Sequence, residues 1–82
     1  MGYHIKQIKK GVYGEFSKIL EEVQELEDAI SQSNKIMTLV ELSDLMGSIQ
    51  GFLQKNHPSI SINDLIKMAE ATKSAFMDGS RK

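Results

Sequence analysis

The sequence has no cysteine and no tryptophan, a single proline, and only two tyrosines and three phenylalanines in 82 residues. Without cysteine there is no disulfide framework, no thiolate nucleophile and no zinc–thiolate site, which suits a reducing cytosol. Long apolar runs are also missing. No stretch approaches the ~18 apolar residues of a membrane span, and residues 1–6 lack the apolar core of a signal peptide, so a cytoplasmic protein with no membrane contact is expected. Gly2 suits a myristoylation start, but Lys6 stands where Ser or Thr is wanted, so lipidation is set aside. A basic surplus is absent as well: ten Lys and Arg against eleven Asp and Glu give a net charge of -1. A nucleic-acid binder held by phosphate contacts normally carries excess positive charge, and that class is excluded on this ground.

What remains is an ordinary globular composition, 40% hydrophobic and 26% charged, at a length that suits one small domain over residues 1–82. Residues 1–13 are basic, with Lys6, Lys9 and Lys10, and the stretch is punctuated by Gly11 and Gly14. This segment reads as a flexible arm. From Glu15, apolar residues at Phe16, Ile19, Leu20, Val23, Leu26 and Ile30 recur at helical spacing. Turn residues from Ser31 to Asn34 close that helix. A second helix is expected over residues 36–55, with Leu39, Leu42, Leu45, Met46, Ile49 and Leu53 on one side. Pro58 disfavours helix at His57 and ends it. Ser61 with Asp64 resembles a capping box opening a third helix, striped by Ile62, Leu65, Ile66, Ala69, Phe76 and Met77 and stopped at Gly79. The expected fold is all-α. Three helices this short bury a modest core, and the apolar arc of the second also includes Phe52. A homodimer or homotetramer completing a four-helix-bundle-type core is therefore expected.

Two acidic clusters stand out, Glu21-Glu22-Val23-Gln24-Glu25 and Glu41-Leu42-Ser43-Asp44. Carboxylates three residues apart share a helix face, where their like charges repel. A bound cation reverses that penalty, and four carboxylates from two facing helices suit a hard metal whose shell phosphates and waters complete. Glu15, Lys18, Glu22 and Glu25 line one edge of the first helix beside its apolar stripe. Glu41, Asp44, Ser48, Gly51 and Lys55 line an edge of the second in the same way. Gly47 and Gly51 each cost about 1 kcal/mol of helix stability relative to Ala, as befits a place where something approaches the backbone closely. The plainer alternative is that each cluster lies on a solvated helix face.

The ordered pair Glu21-Glu22-x-x-Glu25, fifteen intervening residues, then Glu41-x-x-Asp44 resembles the signature of the all-α nucleoside triphosphate pyrophosphohydrolases. These are the MazG-like proteins, related to dimeric dUTPases and phosphoribosyl-ATP pyrophosphohydrolases. Lys18, Leu45, and a C-terminal helix with Lys73 and a trailing Arg81 extend the likeness over residues 14–81. The resemblance implies a Mg²⁺-dependent enzyme, with Mn²⁺ as the alternative ion, that releases pyrophosphate from a nucleoside triphosphate and leaves the monophosphate. It further implies Glu22, Glu25, Glu41 and Asp44 as metal ligands and Glu21 as an auxiliary catalytic carboxylate. Lys18, Lys55, Lys73 and Arg81 are candidate substrate-phosphate contacts, with Lys73 singled out because it falls within the apolar arc of the third helix. A salt bridge to Glu27 or a snorkelling stem would equally account for Lys73. His4 and His57 are read as surface residues, with His4 a remote candidate for a base contact, Lys9 and Lys10 as solvated, and Tyr13 and Phe16 as core, interface or base-stacking residues. A phosphoribosyl-ATP pyrophosphohydrolase and a non-catalytic helical interaction protein are the competing functions.

Overall fold

The computed structural model describes residues 4–77 and 79, and within them the chain is all-α. Three helices follow in order: α1 (Phe16–Ser31), α2 (Lys35–Asn56) and α3 (Ile62–Met77). Each boundary lies within a residue or two of the sequence expectation. The chemistry at the ends explains why. The Asn34 side chain accepts a hydrogen bond from the Met37 amide at 3.0 Å and starts α2. At α3 the expected box is present with Asp in place of Glu: the Ser61 amide donates to Asp64 Oδ2 at 2.9 Å, and the Asp64 amide donates to Ser61 Oγ at 3.2 Å. Ser33 and Gly79 have φ of 56° and 80°, the left-handed backbone that turns a chain out of a helix.

Helices α1 and α2 form an antiparallel hairpin. Its open end is tied where Asn56 Nδ2 donates to the Gly14 carbonyl at 3.2 Å and Lys55 Nζ lies 3.4 Å from Glu15 Oε2. Among the described residues, helix α3 packs on α2 and not on α1. No described helix is long and apolar enough to cross a membrane.

The faces of α1 and α2 are distributed in an unusual way. Among the described residues, the buried apolar side chains are Ala29 and Leu53, whereas Glu21, Glu22, Asp28, Glu41 and Ser48 are all buried. Phe16, Leu20, Val23 and Ile30 of α1 and Leu39, Leu42 and Met46 of α2 face outward instead. The acidic edge thus turns inward within one chain, and the apolar stripes do not close over each other. Ile19, Leu26, Leu45, Ile49 and Phe52, half-buried, supply the apolar contact that the hairpin does have.

Residues 4–13 contain neither helix nor strand, yet they are bound along α1. The Ile5 and Lys6 amides donate to the Asp28 carboxylate at 3.0 and 3.3 Å, the Gly11 amide to Glu21 Oε1 at 2.8 Å, and the Val12 amide to Ser17 Oγ at 3.0 Å. A Cβ at Gly11 would collide with the Ser17 carbonyl, so only glycine allows the arm this close to the start of α1.

Candidate metal and phosphate site

Between α1 and α2 the two acidic clusters meet. Glu22, Glu41 and Asp44 bring carboxylate oxygens within 4.8 Å of one another, as do Glu21, Glu22 and Glu25. Glu25 also groups with Glu41 and His4. The four ligand positions implied by the resemblance therefore form a linked chain of overlapping triplets, with Glu22 and Glu41 each in two of them. Glu22 and Glu41 are 4% and 2% exposed.

Cations engage some of this charge, but not all of it. Lys18 Nζ sits 3.1 Å from Glu21 Oε1 and 3.2 Å from Glu22 Oε2, pairs that the i,i+3 and i,i+4 spacing on α1 makes available. Glu21 is further held by the Gly11 amide and by Lys10 Nζ at 3.7 Å. Burial alone would raise the Glu21 carboxyl; the Gly11 hydrogen bond and the lysines outweigh it and lower it. Burial works to lower the Lys18 ammonium, and Glu21 and Glu22 override that and raise it. Glu25 moves the other way, raised by burial and then by the charges of Glu22 and Glu21. Glu41 is likewise raised, by burial and then by Asp44.

Glu22 Oε1 and Glu41 Oε1 are buried and have no hydrogen-bond partner among the described residues. A buried charged oxygen without a partner costs several times what a made hydrogen bond contributes, so two in one groove call for something to satisfy them. Oxygen-only donors on a rigid helical pair fit a hard divalent cation.

The groove opens to an outer cleft of about 390 Å³ lined by Tyr13, Lys18, Glu22, Ser43, Asp44, Gly47, Ser48 and Gln50. A Cβ at Gly47 would meet nothing within 4 Å, so this glycine leaves the cleft wall recessed. At Gly51, one turn on, the Tyr13 ring lies where a Cβ would stand. The two glycines, alike in the sequence, have different work: one is filled by the arm and the other is open.

The structure thus brings together Glu21, Glu22, Glu25, Glu41, Asp44 and Lys18. It places Lys55 at the far end of α2 against Glu15, outside the cleft lining. Lys73 is exposed on α3, beside Ile66, Ala69, Phe76 and Met77, on a helix whose described residues do not contact α1. Glu27, its alternative partner, lies 3.7 Å from Lys6 instead. Arg81 is outside the described residues.

Two participants were not anticipated. His4 is no surface residue: its side chain is 8% exposed, with Nδ1 2.8 Å from Asp28 Oδ2 and Nε2 3.2 Å from Glu41 Oε2. Asp28, 1% exposed, is the second. It continues the i,i+3 series Glu22, Glu25, Asp28, a signal that was present in the sequence. No comparable signal marks His4, which reaches the site from 24 residues away. Lys9 and Lys10 are exposed as expected, and so is His57, whose ring centroid lies 6.3 Å from that of Phe52.

Comparison of the chain with protein-family models, with curated proteins and with solved structures finds no match.

Proposed function

We propose that this chain is a cytoplasmic Mg²⁺-dependent nucleoside triphosphate pyrophosphohydrolase of the MazG-like kind. The observation that carries the proposal is the pair of buried, unpartnered oxygens of Glu22 and Glu41, grouped with Asp44 where Glu22 and Asp44 line an open cleft. Glu22, Glu25, Glu41 and Asp44 would hold the ion, with Mn²⁺ as its substitute. When bound, such an ion polarises phosphoryl oxygens and makes a coordinated water more acidic. The rest falls to the protein's own groups. Lys18, held by Glu21 and Glu22 at the cleft, presents an ammonium to the triphosphate. Water attacks the α-phosphorus and its oxygen forms the new P–O bond, the bond to the bridging oxygen breaks with its electron pair leaving on pyrophosphate, and the water's proton passes to the Glu21 carboxylate, which holds no ion. Glu21 serves there as the auxiliary carboxylate that keeps Lys18 in place. The recess at Gly47 admits the substrate, and the Tyr13 ring on Gly51 offers a flat face for a base.

The active form in this proposal is a homodimer or homotetramer. A second copy covering the outward stripe of Leu20, Val23, Leu39, Leu42 and Met46 would complete the helical bundle. The test of the function is a panel of nucleoside triphosphates incubated with the protein and Mg²⁺ and analysed for phosphorus products. Pyrophosphate and nucleoside monophosphate are expected, and EDTA should abolish both. Release of single phosphate, or no turnover of any nucleotide, would overturn the proposal.

A further inference from the structure

Beyond the carboxylate cage, the arm delivers a nitrogen ligand. We infer that His4, Glu25 and Glu41 form a second cation site selective for a borderline transition metal of the Zn²⁺ or Co²⁺ class, with Asp28 orienting the imidazole. His4 Nε2 lies 3.2 Å from Glu41 Oε2 and 3.8 Å from Glu25 Oε1. Ligand atoms about 2.1 Å from one tetrahedral cation stand about 3.4 Å from each other, so these separations bracket the edges of such a shell. Glu41 is 2% exposed and its other oxygen has no partner among the described residues, so the imidazole alone does not satisfy it.

The second observation lies behind the ring. Asp28 accepts from the Ile5 and Lys6 amides and from Gln32 Nε2 at 3.0 Å, and faces His4 Nδ1 at 2.8 Å. An ionised carboxylate can only accept, so Nδ1 donates to Asp28 and Nε2 is the ring nitrogen turned towards Glu25 and Glu41. A carboxylate behind a histidine is the arrangement that fixes tautomer and ring orientation at metal centres. Two neighbouring backbone amides on the same carboxylate hold the arm itself in register. A purely oxygen site suits Mg²⁺, whereas adding imidazole shifts preference towards later divalent metals. The arm therefore gives the protein a site whose metal differs from that of the cage, sharing Glu25 and Glu41 with it.

Cobalt(II) titrated into the full-length, metal-stripped protein tests this, read by visible ligand-field absorption. His4→Gln should weaken Co²⁺ by about 10-fold or more, and Asp28→Asn by about 10-fold. Glu27→Gln, which belongs to neither the cage nor this triplet, should change Co²⁺ affinity by less than about 3-fold. In the Co²⁺-loaded wild type, proton NMR should show one strongly shifted exchangeable imidazole N–H, assigned to His4 by its loss in His4→Gln. Equal weakening by His4→Gln and Glu27→Gln, unchanged affinity in His4→Gln, or a spectrum without that N–H would each overturn the inference. The readout is metal binding alone. Failure of nucleotide hydrolysis with Co²⁺ binding retained would therefore count against the proposed enzyme and leave this site standing.

Discussion

Asp44 and Glu27 are both acidic, exposed and close in sequence to the buried carboxylates, yet they should answer mutation differently. Asp44→Asn keeps the shape and removes one charge from the triplet with Glu22 and Glu41. Pyrophosphate release should collapse, because metal stabilisation of the transition state is worth several kcal/mol, while the melting temperature holds or rises as a like-charge neighbour of Glu41 is neutralised. Glu27→Gln, which loses only an exposed contact with Lys6, should alter stability by less than about 0.5 kcal/mol and leave turnover intact. Equal loss of activity in the two variants would mean that the site is misassigned. Proton linkage gives a second residue-scale prediction. Glu25 and Glu41 have raised values, so the folded state keeps protons that the unfolded chain has released. Without metal, stability therefore falls as pH rises past the ordinary glutamate value and through the raised ones. Glu21 and Asp28 have lowered values, and what they contribute is in place above the ordinary carboxyl range and lost as pH falls through the lowered ones. Urea unfolding in EDTA from about pH 4 to about pH 8 should then show a maximum on the acid side. A steady rise to the alkaline end would contradict the burial assigned to Glu25 and Glu41.

At the scale of the element, the three helices and their ends were legible because the signals are local. Asn34, Ser61, Asp64 and Gly79 each act within a few residues, and the stripe of α1 needs only one turn of periodicity. The placement of Glu22 and Glu41 on facing edges was legible for the same reason. What the sequence did not disclose is which edge turns inward, since α1 carries acidic and apolar edges side by side and the choice is made by packing. Nor did it disclose the path of residues 4–13, which depends on backbone amides meeting Glu21 and Asp28 across the chain. The glycines of α2 turn this difference into a test. Gly47→Ala meets open space and should gain about 1 kcal/mol from helix propensity, raising the melting temperature by several degrees. It should lower turnover by narrowing the cleft. Gly51→Ala displaces the Tyr13 ring and should gain less than Gly47→Ala or lose stability. Identical thermal shifts in both variants would show that Tyr13 does not rest on α2.

For the whole molecule, the proportions are more open than those of a compact chain of this mass. The accessible surface is 6193 Å², against about 4,900 Å² for a compact folded monomer of this 9.2 kDa mass. The radius of gyration is 14.4 Å, where about 12 Å is usual for a globular chain of this length. The excess is of the order that each partner buries in a stable protein interface, about 800 Å². Light scattering should therefore find a dimer or tetramer at micromolar concentration, and Leu39→Glu should dissociate it. A wild-type monomer under those conditions would contradict the assembly and leave the outward leucines unexplained.

Whether the buried, unpartnered oxygens of Glu22 and Glu41 are there to meet a metal is tested most directly by divalent-cation binding to the metal-stripped wild-type protein. Calorimetric titration with Mg²⁺ should show saturable binding, accompanied by a rise in melting temperature that grows with the logarithm of Mg²⁺ concentration and vanishes in EDTA. No heat of binding up to millimolar Mg²⁺, with unfolding identical in Mg²⁺ and in EDTA, would contradict it.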